Sequence, residues 1–316
     1  MESYRKLIKF GNSSYVVSLP NDWIKRNKLE KGDSLFISEG LNNGLVLNPR
    51  ALKEKEAKKE ITINIKEKDT QRIKREIISA YLNNCDILRV QGGNNSPVKE
   101  VREVIKNLMA LEIIDENSKE IVAKDFMDLK EVTFEEIIRK IDTITRSMMA
   151  DIKNIDKEDL SENINERDEQ VNRLVYLVIR TLRFTLDNPG NANRNNLLSM
   201  AGMLNVWDVT LNIEKIADDL KRAARQFSNI RPKTKVMQDL KWVFSDIERC
   251  YLETMKAYYG GNVEKAFTLS LLKRKLSDKC NGLHSKYWRE QYVPIVLENF
   301  KNLISSIHNI GRRTYS

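Results

Sequence analysis

Histidine and cysteine are scarce in this chain, with two histidines and three cysteines among 316 residues. Cys85, Cys250 and Cys280 lie far apart and show no CxxC spacing. That pattern argues against a zinc site or a disulfide frame and for reduced thiols in the core or on the surface. His284 and His308 fall in separate helical stretches, and neither belongs to an HExxH or a paired His/carboxylate motif, so both read as ordinary helix residues. No Ser/His/Asp order, nucleophile elbow or nucleotide loop occurs, and the sequence does not read as an enzyme. Gly92 and Gly93 precede a helical stretch, but without further glycines or a P-loop lysine they read as a turn. No apolar run approaches the ~18 residues of a membrane span. The N-terminus from Met1 to Lys6 has no apolar core of a signal peptide. The expectation is a cytoplasmic protein without membrane insertion.

What the chain does have is charge. Asp, Glu, Lys and Arg make up 31% of it and leave a net charge of +9. The charged fraction suggests long solvated helices. The excess suits either simple solubility or a phosphate-rich partner.

The pattern divides the chain into three parts. Residues 1–50 alternate like strands around one short helix, with turn signals at Gly11-Asn12 and Lys31-Gly32-Asp33. This small β module is too short to bury a core alone. A charged stretch, Lys53 to Glu60, reads as a solvated linker. Residues 58–130 form a small α/β module. Its strands are Ile61–Ile65 and Ile87–Val90, its helices Asp69–Asn83 and Pro97–Leu108 with Ser96 as N-cap. A hairpin around Glu116-Asn117-Ser118 closes it.

Residues 131–316 read as all helix. Thr133 and Glu136 form a capping box. Phe134, Ile137, Ile138, Ile141, Ile144 and Met148 then line one stripe. Further helices are expected over 158–186, 195–227, 235–259, 263–290 and 294–313. The breaks fall at Asp187-Asn188-Pro189-Gly190, at Pro232, at Gly260-Gly261 and near Pro294. Six helices with short breaks suggest two repeated three-helix units.

Two groups of residues could carry function. The β module presents Arg5, Lys6, Lys9, Lys25 and Arg26, and paired strands with flanking basic residues can enter a DNA major groove. Asn12 and Ser13 could reach a phosphate or a base edge. An oligomerisation module with solvated lysines accounts for the same residues. In the helical part, Glu214 and Asp218 share one helix face. Two carboxylates at that spacing repel, and a hard cation would relieve this, with Asp168 joining from the preceding helix. A solvated acidic face with Lys215, Lys221 and Arg222 as neutralising neighbours is the alternative.

The run from Arg5 to Pro20, with Gly11, Ser13, Val16, Leu19 and Pro20, followed by Leu29, Gly32 and Asp33, resembles the SpoVT/AbrB family of swapped-hairpin domains. That resemblance implies an intertwined dimer in which two chains build one barrel. It implies DNA binding through basic residues, here Arg5, Lys6, Lys9, Lys25 and Arg26 by position and charge, or service as an antitoxin. Glu214 to Ala224, and Asp168 to Leu174, resemble the third- and second-helix motifs of the PhoU family of phosphate-uptake regulators. That family has two repeated three-helix bundles, and its acidic motifs can hold iron or zinc. Asn172 stands where a carboxylate is usual, and Ser305 and Asn309 fall where the second repeat should be acidic. Any metal site is then confined to Asp168, Glu214 and Asp218. The whole order is similar to archaeal-type PhoU-like regulators with an AbrB-like N-terminus. It implies a homodimeric DNA-binding regulator of phosphate uptake. The alternative is an adaptor that dimerises through the headpiece, binds no DNA, and docks on a phosphate transporter or sensor kinase.

Overall fold

The computed structural model describes residues 4–39, 44–49, 58–92, 98–155, 160–188, 199–232 and 234–315. The chain falls into two compact units, Met1–Lys58 and Lys59–Ser316. The linker read over Lys53–Glu60 lies mostly outside the described residues, as do Gly93, Ser96 and Pro97.

The smaller unit holds β1 (Ile8–Phe10) and β2 (Ser14–Val16), an antiparallel pair turned at Gly11, whose φ of 67° suits glycine. After Pro20 comes α1 (Asn21–Arg26). It stops at Asn27, whose side-chain amide donates to the Trp23 carbonyl at 2.8 Å. The Asp33 carboxylate then accepts the Glu30 backbone N–H at 2.7 Å, which pins the turn into β3 (Phe36–Glu39). β4 (Leu45–Asn48) pairs with β3 antiparallel. The expected order of strands and helix is present. Among the described residues of this unit none is buried.

The larger unit begins with β5 (Glu60–Asn64), α2 (Thr70–Leu82) and β6 (Ile87–Gln91), and β5 and β6 pair parallel. Asp69 caps α2 by accepting the Arg72 N–H at 2.9 Å. α3 (Val98–Lys106) leads to β7 (Leu111–Glu116) and β8 (Glu120–Asp125), and the sheet order is β5-β6-β8-β7. Alternation in β6 puts Leu88 and Val90 inward against Ile73, Ile77, Tyr81, Val101 and Ile105. Arg89 and Gln91 face the other way, where Arg89 bridges Glu60 and Glu120. A bulge between Ile113 and Asp115 leaves Ile114 exposed.

Seven helices follow among the described residues: α4 (Phe134–Asn154), α5 (Ser161–Asp187), α6 (Met200–Phe227), α7 (Lys235–Tyr259), α8 (Val263–Ser270), α9 (Leu272–Tyr287) and α10 (Val293–Arg312). α4, α5 and α6 pack on one another, and so do α7, α9 and α10. The most extensive helix–helix contact joins α6 to α10.

Two sequence expectations need correction. The single helix over 263–290 is two helices, α8 and α9, and the second ends at Tyr287. Ser270 Oγ donates to the Phe267 carbonyl at 2.6 Å just before the break. A side-chain bond there competes with the backbone ladder while Leu271 keeps right-handed helical dihedrals, so no breaker residue marks the place. The capping box also differs. Thr133 precedes α4, but its hydroxyl donates to the Glu136 carboxylate instead of accepting a backbone N–H. The α4 stripe is as expected except that Ile144 is only half-buried. The starts expected at 158 and 195 lie outside the described residues.

Two carboxylates in the helical core are served unequally. On α4, Asp142 accepts the Tyr251 hydroxyl at 2.8 Å, the Tyr259 hydroxyl at 3.1 Å and the Arg146 guanidinium at 2.7 and 2.9 Å. This network ties α4 to α7. At the α6–α10 seam Asp219 is less well served, with Asn302 at 3.5 Å and Arg222 at 4.0 Å. Burial, reinforced by the Asp218 and Glu298 charges, pushes its carboxyl up to about 6.

The folded chain therefore holds the Asp219 proton more tightly than the unfolded chain does. The stability this gives is complete below about pH 4 and is lost as pH rises through about 6. Asp219→Asn should then raise stability by about 3 kcal/mol at pH 8 and change little at pH 4. Urea unfolding of both proteins at the two pH values checks this, and equal shifts at both would count against it.

Candidate nucleic-acid interface and acidic cluster

In the β1–β2 hairpin, directly opposed residues share a face. Lys9 sits opposite Tyr15 on one side, while Ile8 faces Val16 and Phe10 faces Ser14 on the other. Apolar side chains thus stand on both faces of the same ribbon. Ile8 is 61% exposed, Phe10 70%, Tyr15 62% and Leu45 70%. A pair of strands with apolar side chains exposed on both faces among the described residues is incomplete as a monomer.

Arg5 and Lys6 precede β1, Lys9 lies within it, and Asn12 and Ser13 form its turn with Gly11. Lys25 and Arg26 occupy the last turn of α1, where cations complement the free helix carbonyls. All seven side chains are exposed. Among the described residues none of the five basic ones is paired with a carboxylate. The structure therefore places the sequence-derived residues on an N-terminal arm, a hairpin tip and a helix end of one small unit. They are free to meet phosphate.

The acidic residues are arranged differently. Asp168 is on α5, and Glu214 and Asp218 are on α6. The Lys221 ammonium stands between two of them, 2.5 Å from Asp168 Oδ2 and 3.0 Å from Asp218 Oδ1. Arg222 adds a contact to Asp218 at 2.5 Å, and Asn172 donates to Asp168 at 3.3 Å. Burial would lower the Lys221 ammonium, but its two carboxylate partners more than offset that and hold it above its ordinary value. Glu214 is raised first by burial and then by repulsion from Asp218 and Asp168.

The three carboxylates are therefore neighbours, as the sequence suggested, but an ammonium stands where a metal ion would. Among the described residues no group of three or more His, Cys, Asp or Glu is set out to hold a metal. With Lys221 and Arg222 already bonded to them, the carboxylates are not free to ligate iron or zinc as they stand, and the neutralising role of these two cations is the one the geometry shows.

The three cysteines are buried, and burial pushes each thiol up to about 11, which leaves them protonated and unreactive. His284 is exposed on α9, and His308 on α10 is lowered by burial and by Lys273 and Arg312. No helix of the described residues is long and apolar enough to cross a membrane.

Sequence reasoning missed one charged site. Arg180, in the middle of α5, is buried and bonded to Asp125 at the end of β8. Its guanidinium also donates to Asn84 at 3.1 Å and lies over the Tyr81 ring at 4.5 Å. One signal was available: Leu177, Val178, Thr181 and Leu182 around it are all core residues.

The molecule is thus a small β headpiece followed by a mostly helical body. Residues 8–56 match a family model described as "Antidote-toxin recognition MazE, bacterial antitoxin", which supports a SpoVT/AbrB-like headpiece. No curated protein and no solved structure matches the chain.

Proposed function

We propose that this chain is a dimeric DNA-binding transcriptional regulator of phosphate uptake, with a PhoU-like helical unit that receives the signal. The observation that carries the reading is the headpiece, which buries none of its described residues yet exposes apolar side chains on both faces beside five unpaired cations. A second copy interleaved with the first would cover those faces, and the match over residues 8–56 supports that arrangement. DNA would then meet Arg5, Lys6, Lys9, Lys25 and Arg26 from both protomers, mainly at phosphates. The phosphate-uptake assignment rests on the motif resemblances around Asp168 and Glu214. The grouping of α4–α6 and of α7, α9 and α10 suits it. No step is routed through a metal.

A gel-shift titration across ionic strength tests the reading. With six or more phosphates neutralised, affinity should fall by about 10³-fold between about 50 and 200 mM salt. The variant Arg5→Gln with Lys9→Gln should bind more weakly and lower the salt slope by about four per dimer. An intact dimer with no DNA binding at low salt would reject the regulator and leave the adaptor that docks on a transporter or kinase.

A further inference from the structure

The larger unit holds a cleft of about 350 Å³ where α2 and α3 of the α/β module meet α5. That volume and its place at a junction of substructures suit a small molecule. Lys74 from α2 and Arg173 from α5 line it. Glu100 and Glu103 from α3 and Glu169 from α5 line it too. Among the described residues none of these five side chains has a hydrogen bond or an ion pair. Glu169 and Arg173 are four residues apart on one helix face, close enough for both to reach one small ligand. Ile78, Val104 and Leu108 supply an apolar wall.

The charges restrict the ligand. Two cations and three carboxylates give the lining a net charge of −1, so a polyanion such as a nucleotide would meet repulsion. A simple cation would leave the guanidinium and the ammonium without partners. A molecule with one carboxylate and one ammonium answers both sets.

We propose that this cleft binds a free α-amino acid, its carboxylate held by Arg173 and Lys74 and its ammonium by Glu169. Its side chain rests against Ile78, Val104 and Leu108. The guanidinium fork matches a carboxylate bidentately, which makes Arg173 the orienting group. Tyr176 and Asn172 line the same cleft. Asn172 bonds to Asp168 of the acidic cluster, so an occupied cleft touches both the α/β module and the α5–α6 pair. This site stands whether or not the headpiece binds DNA.

The test titrates the full chain, one probe at a time, with the proteinogenic L-amino acids and with inorganic phosphate, followed by calorimetry and thermal shift. At least one amino acid should bind saturably and raise the melting temperature. Arg173→Gln should weaken it by about tenfold or more. Glu169→Gln should weaken the amino acid to a similar degree while leaving its deaminated carboxylic acid unaffected. Glu169 is exposed, so this second variant decides the matter if the first does not fold. The proposal is overturned if no amino acid binds at millimolar concentration. It is equally overturned if phosphate binds in their place, or if binding survives Glu169→Gln unchanged.

Discussion

Replacing Arg180 with alanine is expected to lower stability by about 3–5 kcal/mol, the range for removing one member of a buried ion pair. The guanidinium is only 2% exposed and its partner Asp125 only 7%. Burial alone would lower the guanidinium, but Asp125 more than offsets this and holds it above its ordinary value. Alanine would strand the Asp125 carboxylate with one backbone donor, the Met127 N–H at 3.2 Å. It would also free the Asn84 side chain and uncover the Tyr81 ring. Nearby, Arg183 donates to the Leu82 carbonyl at 3.2 Å and to Asn83 at 2.9 Å. One turn of α5 thus fastens the α/β module to the helices. Urea unfolding should show the loss. Arg180→Leu combined with Asp125→Leu should restore much of it, because two apolar groups leave no charge unpaired. A loss under about 1 kcal/mol for the single variant would mean that water reaches the pair.

The second large effect is expected in the headpiece. Ile8 and Phe10 stand on one face of β1 and are exposed in the single chain. If a second copy covers them, each contributes about 1.5–3 kcal/mol to association. Ile8→Asp with Phe10→Asp removes both and adds charge to the same face. The dimer dissociation constant should rise by about 10³-fold or more. Sedimentation would report monomers, DNA binding would vanish with the dimer, and the helical circular dichroism of the larger unit would be kept. A dimer of unchanged affinity would place the interface elsewhere.

Much of this fold is legible in the sequence because local signals decide it. Gly11 and Gly32 sit at positive φ, and the strands around them alternate as expected. Asp69 caps α2, Gly260 and Gly261 end α7, and Pro294 opens α10. The α8–α9 break was not legible, since no proline or glycine marks it. Among the site residues, the five cations and the hairpin tip could be read from charge and turn chemistry. The state of the acidic cluster could not. Lys221 lies three residues past Asp218, but only tertiary packing brings Asp168 of α5 onto the same ammonium. The amino-acid cleft and the Arg180 pair gather residues from distant stretches, which no periodicity connects.

A headpiece with no buried residue among those described has a consequence for dosage. If its fold exists only in the pair, chains below the dissociation constant have no DNA-reading surface at all. Occupancy of a chromosomal site would then climb with the second power of chain abundance. Halving synthesis would cut the active species about fourfold in that regime, by mass action. The supply of the chain would itself act as a threshold.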